Sequence, residues 1–268
     1  MKEIVDIFLP MQDNANSVGG EVDWLIYVIH AFMLILFLGW LTYYIVAIYK
    51  HRRVESPKAS YKGIKNKKVS SALETGVALI EIIILVGIAL PGWALMASGE
   101  RFTDEQKEQA IEIQANAQQY AWNFRYAGDD KAFGQQKTSL VTSANPWGYD
   151  PEDPAAKDDF VNAGQMVVPV NRPIMVHCRS MDVIHSFYVG AMRVCQDCIP
   201  GISIPTYFIP DKIGEYTITC AQLCGGSHYA MKGIVKVVSE EEYAEWYESK
   251  KPKAGESSEP DPALDEFE

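Results

Sequence analysis

Positive charge is scarce over most of this chain. Residues 98–268 hold 15 lysines and arginines against 27 acids, and all 268 residues together carry a formal net charge of −11. A surface of that sign repels nucleic acid and anionic lipid, and suits a basic protein partner drawn in by electrostatic steering. No internal repeat is visible. The Cys-x-x-Cys at Cys195–Cys198 is followed by Ile199, not the histidine that covalent haem attachment requires. Met1 to Gly20 lacks a basic start and a short apolar core with a small-residue cleavage site, so it does not read as a secretory leader of the usual form. Either a leader has been removed or the short acidic tail is translocated directly.

Charge is nearly absent from two long runs. Trp24 to Tyr49, 26 residues, is apolar but for His30 and Thr42, and Ala72 to Ala97 is interrupted by Glu74 and Glu81. About 20 apolar residues cross a hydrocarbon core. A buried core helix is the alternative for each run, but two such lengths in one small protein favour a membrane hairpin. Lys50 to Lys68 carries eight lysines and arginines against one acid, Glu55. Because basic loops stay cytoplasmic, that segment is expected inside and both termini outside. The expected organisation is an external segment 1–23, a hairpin 24–97 (spans 24–49 and 72–97, loop 50–71), an exterior domain 98–250 and an acidic tail 251–268 without fixed structure.

In the exterior part, Thr103 is placed to cap a short helix to Glu108. Ile111, Ile113, Ala115 and Ala117, then Tyr120, Trp122, Phe124 and Tyr126, alternate as strands do. Gly128 to Phe160 reads as loop. Further short strands are expected at 165–170, 174–177, 186–191, 206–209, 214–219 and 231–238. Short strands so spaced indicate a Greek-key barrel or sandwich, and Glu240 to Lys250 reads as a closing helix.

The densest chemistry lies between Cys220 and Met231, where Cys220, Cys224, His228 and Met231 fall within twelve residues beside Gly225 and Gly226. Thiolates with imidazole favour copper or zinc, and an added thioether favours redox copper. A structural zinc would want four closed ligands and has little use for methionine. A second cysteine leaves zinc or a bridged pair of coppers open. A Cys220–Cys224 disulfide is the rival without a metal.

Cys-x-x-x-Cys-x-x-x-His-x-x-Met resembles the binuclear copper A loop of cytochrome c oxidase subunit II. Ser180-Met181-Asp182-Val183-Ile184-His185-Ser186 is similar to that family's upstream histidine motif, and Ile199-Pro200-Gly201 to its Ile-Pro-Gly turn. The resemblance runs over about residues 20 to 240, leaving out the insert between Gly128 and Phe160 and the tail after Lys250. It implies a membrane α + β fold: a two-helix transmembrane hairpin, then an extracytoplasmic cupredoxin-like Greek-key β-barrel, in a bacterial or other respiratory membrane. It also implies a ligand set for two coppers. Cys220 and Cys224 would bridge both, His185 and His228 would take one each, Met231 would be axial to one, and the Gln222 backbone carbonyl would bind the other. Most of the family has glutamate at the Gln222 position, where its carboxylate reaches magnesium. A neutral amide is a poorer ligand for that hard cation, which counts against magnesium here.

The resemblance further implies that Tyr120 and Trp122, in Gln119-Tyr120-Ala121-Trp122, receive electrons from a docked cytochrome c. Tyr120 stands where the family has tryptophan. Glu74-Thr75 matches a Glu-Thr pair at the mouth of a proton channel, the rival reading being a snorkelling acid. Glu81, two turns on, is expected to meet a polar group of subunit I. The implied function is the subunit of a respiratory oxidase that takes electrons from cytochrome c, or a cytochrome c domain, and passes them to haem in subunit I. Oxygen reduction and proton pumping belong to that partner. A copper-free quinol-oxidase subunit lacks the cysteines, and a tethered copper carrier has no use for Glu74. Of the other cysteines, Cys195 and Cys198 are expected to pair as a disulfide, unpaired buried thiols being the alternative, and Cys178 to be a buried thiol. His177 is expected to be a satisfied sheet histidine; His30 and His51 lie at the wrong depth or side for the metal.

Overall fold

A computed structural model describes residues 11–52, 66–97, 102–142, 145 and 147–252. The chain divides into two compact units, Glu21–Arg101 and Met1–Gly20 with Phe102–Glu268.

In the first unit, helix α1 spans Gly20–His51, with Glu21 and Asp23 in its first turn and Lys50 and His51 in its last, each complementing the helix dipole. None of its residues is buried, and apolar side chains such as Ile35, Phe37 and Trp40 lie open around it. A helix apolar on every side needs an apolar surrounding, and hydrocarbon supplies one. Helix α2, Lys67–Ile84, starts at Asn66, whose side chain accepts from the Lys68 and Val69 amides. A π turn, Leu85–Ala89, joins it to α3, Leu90–Ala97. Pro91 accounts for the π turn: its ring crowds the carbonyl four residues back and it has no N–H to offer. Both helices begin before the apolar runs do. Hydropathy marks the extent of hydrocarbon, whereas caps mark where the backbone starts to coil. Most of the basic loop, residues 53–65, and the tail from 253 lie outside the described residues.

The second unit opens with a strap, in which the Ala15 amide donates to Ala191 and Asn16 bonds Met192 and Ile209. A one-turn helix α4, Asp104–Glu108, follows with Thr103 as its cap. Among the described residues ten strands then form two sheets, ordered β3-β2-β1-β5-β8 and β4-β10-β9-β6-β7. They are β1 Ile111–Gln118, β2 Ala121–Tyr126, β3 Phe160–Ala163, β4 Gln165–Pro169 and β5 Ile174–Ser180. The rest are β6 His185–Val189, β7 Val194–Cys198, β8 Ile204–Phe208, β9 Gly214–Cys220 and β10 Lys232–Val238. Pairing is antiparallel except for β1 with β5 and β4 with β10. This is the cupredoxin-like sandwich of the expected class, its core built by Trp122, Phe124, Tyr126, Phe187, Phe208 and Ile218. Helix α5, Glu240–Lys250, is closed by a Ser239–Glu242 capping box and sets Trp246 against Tyr126 and Phe160.

Two strands depart from the sequence reading. β3 is four residues long and only its first residue, Phe160, lies in the segment expected as loop; β7 carries Cys-Gln-Asp on an edge and has a single branched residue, Val194, to mark it as a strand. The Gly128–Phe160 segment folds over the outer face of the first sheet. Beneath it Arg125 is buried and ion-paired to Asp159, with the Tyr149 ring 4.2 Å from its guanidinium.

Candidate metal centre

Strand register brings the motif residues together. β6 and β9 run antiparallel with Phe187 opposite Cys220, so His185, two residues earlier, lies across from the loop that follows β9. β9 and β10 are also antiparallel, and the Cys220 amide donates to the Met231 carbonyl at 3.3 Å. Cys220 and Met231 therefore close the neck of one loop, whose last turn, His228–Ala230, is a 3-10 helix.

Within that loop the donors converge. The Cys220 and Cys224 sulfurs are 3.8 Å apart. His185 Nδ1 lies 3.9 Å from Cys220 Sγ, and His228 Nδ1 lies 3.5 Å from Cys224 Sγ. Met231 Sδ is 3.9 Å from Cys224 Sγ, and the Gln222 carbonyl is 3.1 Å from Cys220 Sγ. The ligating atoms of His185, Cys220 and Cys224 all fall within 4.8 Å of one another. Every one of these groups is a soft or borderline donor or a carbonyl, with no carboxylate among them, which fits copper.

Second contacts set the orientation. His185 Nε2–H donates to Asp182 Oδ1 at 2.7 Å, which leaves Nδ1 with its lone pair toward the sulfurs. The Gln119 amide donates to the other Asp182 oxygen at 2.7 Å, and the Gln119 side chain donates to the Cys224 carbonyl at 2.6 Å. Burial works to raise the Asp182 carboxyl, but hydrogen bonds from His185, Gln119 and Val183 outweigh it and hold the pKa below its ordinary value. Without metal, burial, and then the hydrogen bond and charge of Cys220, push the Cys224 thiol up to about 11. A bound cation reverses that preference by displacing the proton. Gly225 sits at φ +137°, where a Cβ would come within 2.5 Å of the Tyr120 hydroxyl, so glycine lets the loop touch that ring.

Comparison with known proteins gives the chain a family. A family model described as cytochrome c oxidase subunit II, periplasmic domain, matches residues 111–238. The alternative cytochrome c oxidase subunit 2 of Bradyrhizobium diazoefficiens is 32% identical over 213 residues, covering 78% of this chain and 72% of that one. The chain belongs to the cytochrome c oxidase subunit II family. The subunit 2 of Cereibacter sphaeroides is 29% identical over 252 residues, 88% of this chain and 78% of that one. Among solved structures, the periplasmic domain of subunit II from Bradyrhizobium japonicum is 31% identical, with a TM-score of 0.39, and covers 52% of this chain and 92% of that one. Family membership and the two long apolar helices make this a membrane-bound component of an oxidase complex, with a His/Cys/Cys group of the copper-site kind.

The remaining expected residues fall as follows. Trp122 is 1% exposed and its ring centroid lies 6.4 Å from that of His185, whereas Tyr120 is 37% exposed at the loop edge. His177 bonds Glu112 at 2.9 Å, as a sheet histidine does. Glu74 accepts from the Ser70 hydroxyl at 2.9 Å, within α2. Asp182 and Gln119 lie inside the histidine and aromatic motifs, yet nothing in those motifs marks either as an orienting residue.

One expectation is corrected. Cys195 and Cys198 carry free thiols, Cys195 exposed and Cys198 buried. They lie three apart on β7, and an odd separation on a strand sends the two side chains to opposite faces. Cys178 is buried as expected. Burial first, then a hydrogen bond to Cys198, raises its thiol well above the ordinary value.

Proposed function

We propose that this chain is the electron-accepting subunit of a respiratory cytochrome c oxidase and holds a binuclear copper A centre. The observation that carries the reading is the facing sulfur pair flanked by one histidine nitrogen on each side, with a carbonyl at one sulfur and a thioether at the other. A lone zinc would leave the carbonyl and thioether without a role. A bound copper pair would supply one-electron chemistry.

The residues of this chain do the rest. Cys220, Cys224, His185, His228, Met231 and the Gln222 carbonyl would hold the pair. Asp182 keeps His185 in the tautomer that binds. Tyr120 presents an edge to a docked cytochrome c, and Trp122 lies behind it against His185. Leu223 and Tyr229, the most open large apolar residues beside the centre, offer a face to subunit I. Glu74 stands for proton uptake toward that partner. The β unit and both termini lie outside the cytoplasm, with the basic loop within. Haem, oxygen chemistry and pumping belong to subunit I.

Electron paramagnetic resonance of the purified full-length chain or its complex tests this. A delocalised signal with more hyperfine lines than one copper nucleus gives would support it. A single-copper signal, or zinc in the site, would overturn it.

A further inference from the structure

Two cysteines outside the copper loop face each other in the core. Cys178 on β5 and Cys198 on β7 belong to different sheets, and neither has any exposed surface. The strands meet where Ser180 bridges Pro200 in the parallel sense. Two residues earlier on each strand, on the same faces, stand Cys178 and Cys198. Neighbouring strands lie ~4.8 Å apart, inside the roughly 4.4–6.8 Å that disulfides span between Cα atoms. Each thiol is fully buried, with the other strand's cysteine two residues before the bridge on its own side. Cys198 is also the cross-strand partner of His185.

We propose that Cys178 and Cys198 form the structural disulfide of this domain, a cross-link between the two sheets directly behind His185. The structure shows its reduced state. This goes beyond the copper site and rests on the proposed function only for the β unit lying outside the cytoplasm, where disulfides persist. The oxidant is a protein disulfide of the thiol-oxidase class, acting before the core closes. Its S–S bond and two cysteine S–H bonds break, the Cys178–Cys198 bond and two oxidant S–H bonds form, and two electrons pass to the oxidant. Cys195, on the opposite face of β7, takes no part. Oxidised, the link would fix the strand that carries the His185 partner and brace that ligand from behind.

The test uses the full-length chain, with thiols blocked by an alkylating agent at lysis and again after denaturation, then digested without reductant. The expected result is a Cys178 peptide joined to the Cys198 peptide, with Cys195 alkylated. The link should persist in Cys195→Ser, and Cys178→Ser should leave Cys198 alkylated. Alkylation of both Cys178 and Cys198 in the native chain, or a Cys195–Cys198 link, would overturn the proposal. Labelling of Cys195 in intact cells by a membrane-impermeant maleimide separates the two failures. If Cys195 labels while Cys178 and Cys198 are free, the disulfide is wrong and the outward placement stands. If Cys195 stays unlabelled and the pair is free, both fall.

Discussion

Beneath the 128–160 segment, Arg125 is buried against Asp159, near Gln114 and under the Tyr149 ring. Between the β9–β10 loop and the start of β6, two sulfurs, two imidazole nitrogens, a thioether and a carbonyl are gathered as closely, yet no charge pairs with charge among them. The first cluster pairs charge with charge: Arg125 has its opposite in Asp159 within the chain. The second gathers lone pairs at a common point and leaves them to be completed by a cation. Buried polar groups are costly unless partnered, so the kind of partner separates a structural cluster from a binding one.

The sharpest way to break the comparison is at the sulfurs. Cys224→Ser should abolish the copper signal and electron uptake from cytochrome c, measured by resonance spectroscopy and turnover, while the melting temperature of the metal-free chain changes little. If copper binding survived, the loop would be as self-sufficient as the Arg125 cluster. Arg125→Met should do the reverse. Leaving Asp159 buried and unpaired should cost about 3–5 kcal/mol in unfolding, with the copper spectrum unchanged, and Arg125→Met with Asp159→Leu should recover most of it.

That ion pair has a pH signature. Burial raises Asp159 above the ordinary carboxylate value although Arg125 pulls it down. A folded pKa above the unfolded one means that stability is full below the unfolded pKa and falls as pH rises through the folded one. Without Arg125 the folded pKa rises further, so in Arg125→Met the fall should extend to higher pH. Melting curves between about pH 4 and about pH 8 would show it. An unchanged profile would mean that Asp159 does not sense Arg125.

Asp182→Asn should act more gently. It keeps the shape but weakens the hold on His185, so copper affinity should drop roughly 10–100-fold by competition with a chelator, with little loss of fold. Unchanged affinity would leave Asp182 without an orienting role. The smallest effect is expected from salt. If the acidic β unit steers a basic donor, turnover with soluble cytochrome c should slow as ionic strength rises. Salt-independent turnover would count against steering.

What the sequence revealed follows from how local each feature is. Cys220, Cys224, His228 and Met231 lie on one loop, so their spacing nearly sets their meeting, and the capping residue Thr103 acts within one turn. The two apolar runs were legible because hydropathy is additive along a helix. Asp182 and Gln119 are joined across 63 residues, and Arg125 and Asp159 across 34, so no local pattern announced them. The Cys195–Cys198 expectation treated a strand as a turn; with β7 in place, alternation rules it out. At Gln222 it is the backbone carbonyl that lies 3.1 Å from Cys220 Sγ, an atom present whichever side chain stands there.

Gln119 grips the Asp182 carboxylate with its amide and the Cys224 carbonyl with its side chain. One residue thus splints the two segments that carry His185 and the cysteines through bonds made by the protein alone. For such a site, taking up metal is a matter of filling a vessel and not of moulding one. Calorimetry of copper uptake should then record proton release and bond heats with almost no change in heat capacity, because little surface leaves water. The slow step in assembly would be delivery of the ion, not arrangement of the protein.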